Sequence, residues 1–298
     1  MWPKRISSIH FALALVFTVA AATGQPALAA KPATNAGSPP TTTPESVNFP
    51  GRHGVTLEGF LYRPAGPGPF PAVVALHGCS GLINKEGQPS ERHADWGNRL
   101  AAQGFIVLFP DSYTSRGLDS QCKVSDRDVS PSKDRPEDAD SALAYLDTRS
   151  DVKADAVSLL GWSNGGSSVL YSVEPRHAPK DVTADFQKAV AFYPGCRVPF
   201  ETGKWKSRIP LLILIGEADD WTAAKPCEDM VAAAKAAGEL VDIVTYPGAY
   251  HDFDHPSLKV HTQDGLAFTA SGTGVAHTGT NPAARADALV RVPAFLAH

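Results

Sequence analysis

The sequence predicts an α/β fold with a mostly parallel sheet covered by helices on both faces. Three observations carry that prediction. Short, largely apolar runs recur at residues 71–77, 105–109, 156–160 and 210–215, and such runs suit strands buried on both faces. Stretches with helical patterning separate them, which is the alternation that builds parallel sheets. The glycine-rich and polar motifs follow the apolar runs, at the carboxyl ends of the strands, where open α/β sheets carry their chemistry.

Taken in order, residues 55–62 alternate as an early strand, read as antiparallel and at the sheet edge. Residues 71–77 form a buried strand ending in His77-Gly78-Cys79-Ser80-Gly81. A helix covers 92–103, with Gly104 as its stop. The strand at 105–109 is broken by Pro110-Asp111, and a polar loop follows to Arg135. Pro136 opens a helix running to 148, since proline suits a first turn. The strand at 156–160 leads into Gly161-Trp162-Ser163-Asn164-Gly165-Gly166, and a helix begins near Ser167. Residues 188–193 form a strand ending at Pro194-Gly195. The most apolar strand, 210–215, ends in Gly216-Glu217-Ala218-Asp219-Asp220. A helix at 225–237 is closed by Gly238, and 241–246 is the last strand. A closing helix at 281–298 is broken or bent by Pro293.

The first residues of the chain read as an export signal. Lys4 and Arg5 precede an apolar stretch at 11–22 and an Ala27-Leu28-Ala29 cleavage site, so residues 1–29 read as a signal peptide. That stretch is shorter than the roughly 20 residues a spanning helix needs, so no membrane span is expected in the mature form. Residues 30–44 read as a flexible mature N-terminus and 45–298 as one domain, without internal repeats. Loss of Lys4 and Arg5 moves the formal net charge from -4 to -6. No block of Lys and Arg survives to follow a phosphate backbone, which argues against nucleic-acid binding. The oligomeric state is left open.

Export to the periplasm or the exterior lets the four cysteines pair. The favoured pairs are Cys79 with Cys122 and Cys196 with Cys227, each joining loops that follow neighbouring strands. With no C-x-x-C pair and no Cys/His cluster at zinc spacing, no metal is expected.

The strand before Ser163, the tight Gly-x-Ser-x-Gly turn and the helix after it together read as a nucleophile elbow. Gly161 and Gly165 keep side chains away where strand and helix nearly touch. A serine hydroxyl needs a base, and the base needs an orienting carboxylate; in this architecture they follow as Asp or Glu, then His. Asp219 is the preferred carboxylate, with Asp220 competing for the role. His251 lies directly after the last strand; His255 is its nearest rival, and His261, His277 and His298 lie further on. The oxyanion donors are read as the backbone N–H of Asn164 and of Cys79, with Ser80 as second choice. His77 precedes the elbow and is read as structural. The reading is a serine hydrolase that cleaves a small-molecule carboxylic ester or lactone through an acyl-enzyme.

Other classes fare worse. A nucleotide-binding oxidoreductase needs G-x-G-x-x-G after its first strand, and the chain has no such run. A peptidase of this chemistry lacks any visible extra substrate domain. A binding protein that keeps the fold without the reaction usually loses a triad member, and all three candidates are present. Arg116 is read as a partner for a substrate carboxylate or as a surface arginine. Residues 255–280 are read as a rim of the site or as a surface loop.

Four motifs carry a resemblance. His77-Gly78-Cys79-Ser80-Gly81, the Gly161–Gly166 elbow, Gly216-Glu217-Ala218-Asp219 and Tyr246-Pro247-Gly248-Ala249-Tyr250-His251-Asp252-Phe253 resemble, in order and spacing, the dienelactone hydrolase family of α/β-hydrolases. The resemblance spans roughly residues 45–298 and implies the α/β-hydrolase fold, with a Ser/Asp/His triad and no metal or organic cofactor. It also supports Asp219 over Asp220. The family's namesake enzymes place a cysteine at the elbow and a glutamate after the early strand, where this chain has Ser163 and Gly78-Cys79-Ser80. Those differences imply a broader esterase.

Overall fold

In a computed structural model the described residues are Met1, 41–180 and 182–297. The signal-peptide reading and most of the flexible segment, up to residue 40, lie outside them. Within residues 41–44, Thr42 is tied to Asn98, its backbone N–H and its hydroxyl both donating to Oδ1 (2.7 and 2.9 Å).

Eight strands form the central sheet: β1 (Glu45–Pro50), β2 (Thr56–Tyr62), β3 (Phe70–Leu76), β4 (Ile106–Asp111), β5 (Val152–Trp162), β6 (Ala189–Phe192), β7 (Leu211–Gly216) and β8 (Val241–Tyr246). Their spatial order is β1-β2-β4-β3-β5-β6-β7-β8. β2 runs antiparallel to both β1 and β4, and the other neighbours pair in parallel. The antiparallel reading of the early strand therefore holds, but its edge position does not. β1, mostly exposed and without a continuous apolar run, pairs outside it and takes the edge. β4 also continues through Pro110, because β2 pairs with it across Gly59–Pro110 and Glu58–Asp111. A proline costs one donor there, and β4 still pairs on its other side with β3.

The helices are α1 (Glu91–Ala102), α2 (Asp134–Asp147), α3 (Asn164–Ser172), α4 (Arg197–Glu201), α5 (Ala224–Ala236) and α6 (Pro282–Ala297). Successive residues of a strand face opposite sides, which sorts the layers. Gly161 of β5 faces α3, whereas the ring of Trp162 packs with that of Trp96 from α1 (6.2 Å between centroids). α1 and α3 thus cover opposite faces. α6 joins α1 through the Arg285–Asp95 ion pair (2.6 Å) and stays helical through Pro293 rather than breaking there. That proline sits in the penultimate turn, so only one carbonyl loses its helical donor. A two-stranded ribbon of β9 (His261–Gln263) and β10 (Ala276–Thr278) lies within the stretch read as a loop.

Aromatic rings fill the layer over α1. Phe109, Trp162 and Phe192 stack in succession, at 6.2 and 5.7 Å between centroids. Burying such rings is among the larger apolar contributions a core can have. Buried among them, Asp254 accepts from Trp96 Nε1 (2.7 Å), Trp162 Nε1 (2.8 Å) and the Tyr193 hydroxyl (2.6 Å). One carboxylate thereby ties α1, β5 and the end of β6 to the loop after β8. Asp254→Ala strands three buried donors and should lower the unfolding free energy by about 3–5 kcal/mol. Urea unfolding followed by tryptophan fluorescence measures it, and Asp254→Asn, which keeps one acceptor oxygen, should lose less.

Candidate active site

The parallel strands deliver the polar motifs to one edge of the sheet. At the end of β5 the chain turns sharply into α3, and Ser163 sits on the turn with φ 53° and ψ -113°. Few side-chain-bearing residues adopt such a backbone, and when they do the surroundings must enforce it. A Cβ on Gly161 would lie 2.3 Å from the Gly165 carbonyl oxygen, and one on Gly165 would lie 2.1 Å from that of Leu76. Only glycine lets the strand, the helix and β3 approach so closely.

The structure brings Ser163, His251 and Asp219 into one line. His251 Nε2 is 2.9 Å from Ser163 Oγ, and Nδ1 is 2.8 Å from Asp219 Oδ2. The carboxylate can only accept, so Nδ1 carries the proton and Nε2 is left to accept from the serine hydroxyl. Asp219 Oδ1 takes the backbone N–H groups of Trp221 (2.9 Å) and Thr222 (2.8 Å), which fix the carboxylate. The Thr222 hydroxyl lies 3.1 Å from Oδ2 and 3.0 Å from the Tyr193 carbonyl oxygen. The rings of Tyr193 and Trp221 flank the imidazole, at 4.4 and 4.6 Å between centroids. Burial disfavours the charged ring, but the Asp219 charge and hydrogen bond outweigh it, so His251 titrates above its ordinary value.

The competing candidates fall elsewhere. Asp220 holds His277, accepting its backbone N–H at 2.7 Å and its Nδ1–H at 2.8 Å. His255 Nδ1 accepts from the backbone N–H of Ser257 and Leu258, and exposed His261 donates to the Lys259 carbonyl. His298 lies outside the described residues. Arg116 does not reach the site: both its terminal nitrogens bind buried Asp138 (2.7 and 3.0 Å), and Nη1 also binds the Ser112 carbonyl. The notion of Arg116 as a substrate-carboxylate partner is therefore corrected to a structural ion pair.

A pocket of about 440 Å3 opens over Ser163. Cys79 and Asn164 both line it, while Ser80 is exposed and outside it. Asn164 is the first residue of α3, where the helix leaves its backbone N–H groups without internal partners. Cys79 is bonded to Cys122, and Cys196 to Cys227. Trp221, Val198 and Tyr171 supply apolar wall, Arg127 and Arg197 the positive charge, and among the described residues no Asp or Glu lines the pocket. The stretch after His251 supplies Phe268, Thr269 and Ala270 to that wall. It is anchored there by hydrogen bonds from Ala267 N–H to the Cys122 carbonyl (3.0 Å) and from Ala270 N–H to the Asp220 carbonyl (3.1 Å). Sequence reasoning missed Thr222, Tyr193 and Arg127; only Thr222, three residues after Asp219 on a strand-end turn, left a local signal. Among the described residues no cluster of three or more His, Cys, Asp or Glu could hold a metal, and no helix is long and apolar enough to cross a membrane.

The parallel sheet, the strained serine and the hydrogen-bonded histidine define a protein of the α/β-hydrolase kind. The model of the dienelactone hydrolase family matches residues 57–298, and the chain belongs to that family, among the carboxylic ester hydrolases. A candidate carboxymethylenebutenolidase of Methylorubrum extorquens is 27% identical over 233 residues, covering 74% of this chain and 76% of that protein. Esterase 2 of Thermogutta terrifontis, solved after phosphoramylation by tabun, shares the fold with a TM-score of 0.62 at 19% identity, over 87% of this chain and 96% of its own. The dienelactone hydrolase-like promiscuous phosphotriesterase P91, from metagenomic libraries, gives 0.61 at 19% identity, over 86% and 97%.

A histidine acting as general base must be neutral, so kcat/KM should fall as the pH drops through the His251 pKa. Because that pKa is raised, the acid limb should be centred above 6.5. Asp219→Asn removes the charge that raises it and leaves the burial that lowers it. Its limb should shift down, alongside a large loss of rate; pH profiles of both proteins on one ester provide the check.

Proposed function

We propose that this chain is an exported serine hydrolase that cleaves small carboxylic esters through an acyl-enzyme. The observation that carries the reading is the single line Asp219–His251–Ser163, at 2.8 and 2.9 Å, on the floor of a mainly apolar pocket. Ser163 Oγ attacks the ester carbonyl carbon as its proton passes to His251 Nε2. The carbonyl oxygen becomes an oxyanion and takes the backbone N–H groups of Cys79 and Asn164. Collapse breaks the ester C–O bond, and His251 returns the proton to the leaving alcohol. Water then attacks the acyl-enzyme, giving a proton to His251, and collapse breaks the acyl–Oγ bond as His251 returns that proton to Ser163 Oγ, freeing the acid. Asp219 holds the imidazolium through the Nδ1–H in both halves.

The signal-like N-terminus and the two disulfides, Cys79–Cys122 and Cys196–Cys227, support export to an oxidising compartment. Arg127 and Arg197, with no acid among the pocket residues, favour neutral or anionic esters over cationic ones. A lactone is a cyclic ester and follows the same steps, the alcohol remaining attached to the acid; the name of the Methylorubrum relative points that way.

The test is initial rates of the mature protein on aryl esters from acetyl to dodecanoyl, with labelling by a fluorophosphonate. Ser163-dependent turnover, highest on short chains that fit the pocket, is expected, and Ser163→Ala should lose at least about 10⁴-fold and all labelling. A Ser163→Ala protein that turns over like the parent would end the reading.

A further inference from the structure

Behind the two oxyanion donors lies a buried cluster that the triad does not use. Arg135 of α2 is completely buried. Its Nη1 carries two hydrogens, and the two acceptors in reach are the His77 carbonyl oxygen (2.7 Å) and Asn164 Oδ1 (2.7 Å). The Tyr113 hydroxyl also donates to Asn164 Oδ1, at 3.1 Å. The Tyr113 ring packs against both other members, 5.4 Å from the guanidinium carbon and 4.7 Å from the His77 ring. His77 donates Nδ1–H to the Gly78 carbonyl (2.8 Å) and accepts the Ser112 N–H at Nε2 (3.2 Å). Burial and the neighbouring Arg135 charge hold this imidazole neutral.

Two covalent facts turn the cluster into a device. The Gly78 carbonyl and the Cys79 N–H are the two ends of one planar peptide, so holding the first aims the second. Asn164 carries the other donor on its own backbone, so anchoring its side chain steadies the start of α3. Among the described residues, Arg135 is the group hydrogen-bonded to both segments. Its third contact, Nε to Ser112 Oγ, is long at 3.4 Å, and its Nη2 is buried without a partner. A guanidinium whose hydrogen bonds all go to neutral oxygens is costly to bury, and an apolar side chain would suit the helix face better.

We propose that Arg135 is a positioning residue of the oxyanion hole, clamping the loop that bears Cys79 N–H to the helix start that bears Asn164 N–H. The inference rests on the serine-hydrolase reading. Donor placement matters only once charge develops on the carbonyl oxygen, so the clamp acts on kcat more than on KM. Its charge also lies behind the site where negative charge develops, with the correct sign.

The experiment measures 4-nitrophenyl acetate hydrolysis per active site titrated with a fluorophosphonate, and inhibition by an aryl boronic acid, which forms a tetrahedral serine adduct. Arg135→Met should lower kcat per titrated site by about 10–100-fold, with KM within about threefold and boronate affinity weakened by the same factor as kcat/KM. Arg135→Lys should recover part of the loss. Asn164→Ala keeps its backbone donor but removes the anchor, and its loss combined with Arg135→Met should be much less than multiplicative. If Arg135→Met yields no folded protein, Arg135→Lys and Asn164→Ala carry the same comparison. Variants with lowered Tm but full kcat per titrated site and unchanged boronate affinity would reduce Arg135 to a scaffold role and overturn the proposal. A parent protein that neither turns over nor labels at Ser163 would overturn the serine-hydrolase reading first, and this one with it.

Discussion

The rest of the site depends on one backbone conformation, that of Ser163. Holding an L-residue at φ 53° and ψ -113° costs about 1–3 kcal/mol, which the neighbouring structure must supply. It does so from three directions. The Ser163 N–H donates to the Phe192 carbonyl of β6 (2.9 Å), and its own carbonyl accepts the Ser167 N–H of α3 (2.7 Å). Gly165 is pressed under the Leu76 carbonyl of β3. Three strands and a helix must therefore be in register before the hydroxyl faces His251. That makes the placement of Ser163 a property of the assembled sheet rather than of a pentapeptide.

This explains what was legible in the sequence and what was not. The elbow, the glycine turns and the apolar strands are local, so the meeting of Ser163, Asp219 and His251 at one sheet edge was readable from their places after strands 156–160, 210–215 and 241–246. Arg135 was not, although it carries a trace. It occupies the face of α2 that also presents Ala139, Ala142 and Leu146, a buried stripe interrupted by a charge. Asp254 gave no sign, because its three donors come from residues 61–158 positions away. The pairing of Arg116 was hidden for a related reason. Arg116 stands at a strand end near the chemistry, but its partner Asp138 is on a different element and only folding brings them together.

The two disulfides have a place in the same logic. Cys79–Cys122 links the loop after β3 to the polar loop that supplies Arg127, Ser130 and Pro131 to the pocket. Cys196–Cys227 links the wall around Val198 to α5. Loops are the elements with the fewest buried contacts, and each covalent link of this kind is typically worth about 2–4 kcal/mol. Cys196 and Cys227 belong to the apolar core itself, so that bond ties the pocket wall to the core, and buried Cys79 fixes the loop after β3 in the same way.

The charge arrangement around the buried histidines separates their roles. His77, His93 and His251 are all buried. For His77 and His93, burial and the adjacent Arg135 or Arg92 both disfavour the cation, and each ring is held well below its ordinary pKa. Arg92 is itself paired, through Nη1, with Asp252, and burial of that acid is outweighed by the cation beside it, so the carboxylate stays ionised. His251 meets the same burial but faces Asp219 directly and has ionised Asp252 next to it in the chain, and its pKa moves up. Of the three, this is the ring whose surroundings favour the cation. The two carboxylates around it, more than its position in the sequence, are what suit it to the base role proposed above.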